Sequence, residues 1–131
     1  MNEPVWLTRL TLDAMHYDQL QHHGGLFGLK DENALESALA RPRHKWTYEP
    51  QCDLCALAAA YGYGLANEHS YSDGNKRIAF VAMYTFLGIN GWEIVAPEPQ
   101  VVRLMVDVAS GTCDEEQLAT WLREHVEPLP G

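Results

Sequence analysis

The chain is short of basic charge, of cysteine and of long apolar runs, and each shortage removes a class of function. Nine Lys and Arg against eighteen Asp and Glu leave a formal charge of −9, a field that repels nucleic acid at long range and suits a protein meeting a basic partner. No direct nucleic-acid binding by the surface as a whole is expected, although a local basic spot in a cleft can still hold phosphate. The longest strongly apolar stretch, Ile78 to Ile89, falls short of the roughly 20 residues of a membrane helix. Met1-Asn2-Glu3-Pro4 has neither the basic nor the apolar part of a signal peptide, so a cytoplasmic protein without membrane association is expected. Cys52, Cys55 and Cys113 are an odd number and argue for reduced thiols over a disulfide framework. Cys52-Asp53-Leu54-Cys55 has the spacing of a redox or zinc half-site, yet there is no second cysteine pair and no neighbouring strand pattern. Two thiols packed near a helix start are expected there. Internal repeats, low-complexity tracts, Walker loops and kinase Gly-rich loops are all missing.

What is present is 131 residues with 47% hydrophobic content, enough for one core and too little for two ordinary ones; residues 1–131 read as a single domain. Turn residues punctuate segments of helical period, and the pattern predicts an all-α domain of six helices. The first covers about Leu12 to His22, with Thr11 as its cap and Gly24-Gly25 as its stop. The second covers about Asp31 to Ala40 and ends before Arg41-Pro42. The third, Asp53 to Asn67, repeats Leu54, Leu57, Ala58, Tyr61 and Leu65 as a buried stripe, and its Ala58, Ala59, Ala60, Gly62 and Gly64 allow a neighbouring helix to come close. The fourth, Asn75 to Asn90, is apolar nearly all round, the look of a central buried helix. After an extended piece, Trp92 to Val95, Pro97 and Pro99 open a fifth helix to about Ser110, and Asp114 to Gln117 resemble a capping box for a sixth to about Val126. No hairpin or alternating strand is evident. The tryptophans Trp6, Trp46, Trp92 and Trp121 read as core anchors, His22-His23 as helix-end residues pointing different ways, and Arg41, Arg43, His44 and Lys45 as a basic cluster with either a binding or a solvated role.

Between the third and fourth helices runs His69-Ser70-Tyr71-Ser72-Asp73-Gly74-Asn75-Lys76-Arg77. Gly74 and Asn75 fall where a long helix begins, and its first amides have no partner within the helix. Such a terminus attracts phosphate, and Gly74 would let the backbone approach a ligand closely. Lys76 and Arg77 oppose the helix dipole by roughly 0.3–1 kcal/mol each when exposed, so a bound anion is a reason for their presence. Asp73 could hold Mg²⁺ bridging phosphate oxygens. His69 ionises near neutral pH and could take a proton from an attacking hydroxyl. Alone, His69 would read as a loop histidine and Asp73-Gly74-Asn75 as a turn; together at these offsets they supply a base, a metal ligand and a phosphate cradle.

This string resembles the core motif of the Fic/Doc superfamily, His-x-Phe-x-Asp/Glu-Gly/Ala-Asn-Gly/Lys-Arg, and most closely its death-on-curing (Doc) branch. Every defined position is met except that Tyr71 replaces Phe. Gly24-Gly25-Leu26-Phe27-Gly28-Leu29, Glu36-Ser37-Ala38-Leu39-Ala40 and Tyr48-Glu49 look like the Doc N-terminal half, so the resemblance spans about Leu10 to Trp121. It implies a compact six-helix fold with His69 as catalytic base, Asp73 as Mg²⁺ ligand, and Asn75, Lys76 and Arg77 on the phosphates, the Gly74 region adding backbone donors. Lys76 stands where Fic adenylyltransferases generally have Gly, which implies a reversed ATP presenting its γ-phosphate and hence a kinase. The resemblance further implies a toxin that phosphorylates a threonine of elongation factor Tu, arrests translation and is restrained by a Phd-like antitoxin. The alternatives are adenylyl transfer by the same residues and a non-catalytic partner-binding module. Gly74 is the Fic-like choice where some Doc proteins have Ala, and Thr120 to His125 match the self-inhibitory Fic motif only in part.

Overall fold

The computed structural model describes residues 2–130; Met1 and Gly131, the ends of the range read as one domain, lie outside them. Six helices make up the fold: α1 (Arg9–His23), α2 (Glu32–Tyr48), α3 (Leu54–Asn67), α4 (Asn75–Ile89), α5 (Glu98–Ser110) and α6 (Glu115–His125). The expected all-α class is thus the observed one. Two short strands, β1 (Trp92–Ile94) and β2 (Val126–Pro128), pair antiparallel with Ile94 opposite Val126. Their pairing corrects the reading of no strands: the partners are separated by two helices, so no hairpin signal could mark them.

The centre of the fold is α3, not α4. From Cys55 to Ala66 only Tyr63 is partly exposed, and the small side chains of this helix let α2, α4, α5 and α6 all pack on it. At Gly62 an added Cβ would lie 2.8 Å from Met83 Cγ on α4, so the close approach foreseen from the run of alanines and glycines is real. Helix α4 is apolar all round for a different reason: Ile78, Ala82, Met83 and Phe86 are buried, while Phe80, Val81 and Tyr84 line a groove against α5.

Local chemistry sets the ends. Thr8, not Thr11, caps α1; its hydroxyl accepts the N–H of Thr11 at 3.1 Å. Asp53 caps α3 by accepting the Ala56 N–H at 2.8 Å. Asp114 and Gln117 form the reciprocal box at α6, with bonds of 2.9 and 2.8 Å. The expected break at Arg41-Pro42 does not occur. Pro42 lies inside α2 and is buried, although an interior proline costs about 3 kcal/mol. Tertiary contacts carry the helix through: Trp46 meets Trp6 edge-on at 6.1 Å, and Arg41 and Lys45 both reach Glu115 on α6. The basic cluster is therefore largely spent inside the fold, with Arg43 also lying over the Trp6 ring.

Candidate active site

After α3 the chain turns through His69, which has φ +50°, a left-handed conformation costing an L-residue roughly 1–2 kcal/mol. Strain of that kind persists only where the surroundings over-determine it, and here they do. The Ser70 carbonyl accepts N–H groups from Lys30 at 2.9 Å and Asp31 at 3.0 Å, and the Ser72 N–H donates to Gly28 O at 3.0 Å. Leu29 and Tyr71 thus form an antiparallel bridge, and the segment between α1 and α2 props the loop from one side. From the other, the Asn75 side chain takes the Tyr71 N–H at 3.1 Å and donates to the Tyr71 carbonyl at 3.0 Å. Both ends of the Asn75 amide are therefore committed to shaping the loop, which bears on its expected role as a phosphate ligand.

Tyr71 is the loop's root in the core. Its ring stacks on His16 of α1 with centroids 3.7 Å apart, and its hydroxyl donates to Asp13 Oδ1 at 2.8 Å. Burial, reinforced by the Asp13 carboxylate, pushes the phenol well above its ordinary range, so it remains a donor. Asp13 is in turn held by Arg9 at 2.9 Å, and Arg9 also binds Glu32 and Glu36 on α2.

Asp73 presents a fixed, ionised carboxylate. Its Oδ1 accepts the Gly74 N–H at 2.8 Å and its Oδ2 the Leu26 N–H at 3.3 Å. These two bonds, then the charge of Arg77, hold its pKa below the usual carboxylate value. Gly25, with φ +129°, makes this possible, since a Cβ there would stand 3.0 Å from Asp73 Oδ2. Gly74 has φ +76° and caps α4 without any side-chain cap bond, leaving first-turn amides free for an anion. An added Cβ at Gly74 would point inward, 3.6 Å from His16 Nε2. Backbone conformation, and not clearance for a ligand, is the reason for glycine here, which corrects the expectation above.

Lys76 is exposed and Arg77 half-exposed; Arg77 reaches the Gly24 carbonyl at only 3.4 Å. Both cations stand at one end of an apolar groove of about 530 Å³ between α4 and α5, walled by Phe80, Tyr84, Val101 and Met105. His69 is exposed and makes no side-chain hydrogen bond among the described residues. A larger cleft, about 980 Å³, lies where α2, α6 and the N-terminal end of α3 meet, and none of its lining belongs to the loop. Its Arg41, Lys45 and Arg123 are each paired with carboxylates there, so size alone is a poor guide to the chemistry. Cys52 lies in this cleft and Cys55 is buried with its thiol pushed up to about 11 by desolvation. All cysteines are free, and the described residues hold no cluster of metal-ligating side chains. Sequence reasoning missed His16 and Asp13. The available signal was a histidine at the centre of the buried α1 stripe Leu12, His16, Leu20.

An uncapped helix start, two cations without a carboxylate partner among the described residues, a pinned carboxylate and an exposed histidine thus lie together on one short loop. Residues 6–87 match the Fic/DOC family, and the chain belongs to it. It is 31% identical over 112 residues to "Protein kinase doc" of Escherichia phage P1, covering 86% of this chain and 88% of that one. It is 36% identical over 102 residues to "Toxin Doc" of Mycolicibacterium smegmatis, covering 76% and 78%. Both likenesses lie with the Doc branch of the family. No helix among the described residues is long and apolar enough to cross a membrane.

Proposed function

We propose that this chain is a Doc-like toxin that transfers the γ-phosphoryl group of ATP to a Ser or Thr hydroxyl of a translation factor such as elongation factor Tu. The observation that carries the reading is the pairing of Asp73's pinned carboxylate with the uncapped α4 N-terminus and its cations. ATP is the phosphoryl donor, and Mg²⁺ held by Asp73 supplies charge neutralisation on the phosphates. Lys76, Arg77 and the free first-turn amides from Asn75 onward hold the phosphate oxygens, with the Asn75 side chain setting the shape of the cradle. His69 stands exposed at the loop's edge to take the proton of the attacking hydroxyl.

Lys76 favours phosphoryl over adenylyl transfer, because its side chain lies at the anion site where adenylyltransferases of the family generally have Gly. An antitoxin of the Phd kind is the natural partner, its disordered tail laid as an amphipathic segment along the α4–α5 groove with acidic groups toward Lys76 and Arg77. Covering that groove would block the cradle. Incubation with elongation factor Tu and ATP labelled in either the α- or the γ-phosphate tests the reading. γ-Label on the target is expected; α-label would move the chain to the adenylylating branch.

A further inference from the structure

His16 is a polar side chain in the wrong place for packing alone. It sits mid-helix on α1 between Leu12 and Leu20, only 4% exposed, with its ring flat against Tyr71. Its Nε2 lies 2.8 Å from the Asp73 carbonyl oxygen, so the Nε2–H tautomer donates there. That carbonyl belongs to the Asp73–Gly74 peptide, whose N–H end donates to Asp73 Oδ1 at 2.8 Å. A peptide unit is rigid, so fixing its oxygen fixes the direction of its N–H, and with it the carboxylate that accepts from it. Hydrogen bonds in such a chain also polarise one another. The same peptide leads into the first turn of α4, so its plane sets where the free amides aim.

We propose that His16 is a positioning residue that orients the Asp73 carboxylate and the α4 N-terminus through the Asp73–Gly74 peptide, an inference that rests on the reading of this loop as the reacting centre. His16 touches no reacting atom itself. Tyr71 supplies the floor on which its ring lies, and the Tyr71–Asp13–Arg9 chain holds that floor to α1 and α2.

The test uses the full chain with His16→Phe, which keeps an aromatic ring on Tyr71 but removes the donor, and His16→Gln, whose amide nitrogen falls near the position of Nε2. Exchange of the Gly74 amide hydrogen is followed by NMR beside phosphotransfer and its Mg²⁺ dependence. His16→Phe is expected to speed Gly74 exchange about fivefold to tenfold, the loss of roughly one hydrogen bond, and to raise the Mg²⁺ needed for half-maximal rate. His16→Gln is expected to restore most of both. Wild-type exchange at Gly74 in a folded His16→Phe protein would overturn the proposal. Should His16→Phe not fold, His16→Asn, which places its nitrogen near Nδ1, replaces it: fast exchange in Asn with protection in Gln supports the inference, and equal exchange in the two overturns it. A wild type as inactive as His69→Ala would count against the catalytic reading alone, since the Gly74 measurement does not use turnover.

Discussion

Replacing Tyr71 by Phe restores the aromatic residue of the family motif and deletes one buried hydroxyl, so its cost can be worked out from few contacts. The hydroxyl donates to Asp13 Oδ1 at 2.8 Å, and a bond to a charged group contributes about 1.5–3 kcal/mol. Two features reduce that figure. The Asp13 side chain is 43% exposed and keeps Arg9 at 2.9 Å, so water can take the vacated lone pair and no buried acceptor is orphaned. The ring stays on His16 with the same volume, so no cavity opens. The expected loss is about 1 kcal/mol, or about 3–6 °C in melting temperature for a chain of this size. Urea unfolding of the two proteins measures it, with an unchanged slope showing that both unfold to the same extent. Tyr71→Ala provides the contrast at about 3–5 kcal/mol, because the stack is removed and a void is left. A Tyr71→Phe loss above about 3 kcal/mol, or a gain, would refute the view that the ring and not the hydroxyl anchors the loop.

Gly62→Ala should destabilise by about 1–3 kcal/mol through overpacking against Met83; helix propensity alone would stabilise by about 1 kcal/mol, so the sign of a thermal-shift measurement decides. Ser70 is fully buried and its hydroxyl has no partner among the described residues, so Ser70→Ala should leave stability unchanged or raise it by about 1 kcal/mol in urea titration; a large loss would mean that an unrecognised partner holds the hydroxyl. Asp53 has its pKa lowered first by hydrogen bonding to Arg123. Its contribution is present above the unfolded carboxylate value of about 3.9 and is lost as pH falls through the lower folded value. Asp53→Asn, which still caps α3, should therefore flatten the acid limb of the stability–pH curve, and an unchanged limb would contradict the pairing.

The sequence reveals the loop more readily than the fold around it. Asp73-Gly74-Asn75-Lys76-Arg77 lies immediately before an apolar run, and the structure puts the start of α4 at Asn75; turn and helix-start chemistry are local, so they are readable. The capping box of α6 was legible for the same reason. What could not be read depends on distant partners. Thr8 and Thr11 are equal candidates for a cap until the fold chooses one. Pro42 breaks a helix by local rules but is carried by Trp6 and Glu115, which come from other elements. The Ile94–Val126 pairing joins segments on either side of two helices. Helix α3 is the centre because its small residues let four other helices approach it, a property that counting bulky apolar side chains, in which α4 is richer, does not reveal. His16 belongs to the same class: its role exists only once α1 lies against the Asp73 carbonyl.

Intact-protein mass spectrometry of elongation factor Tu, incubated with Mg²⁺, ATP and either the wild-type chain or His69→Ala, tests the central claim most directly. Wild type should add the mass of one phosphoryl group and His69→Ala should add nothing. Equal modification by both proteins, or an unmodified target under conditions where wild-type expression halts growth, would contradict the account of this loop as a His69-dependent kinase centre acting on that factor.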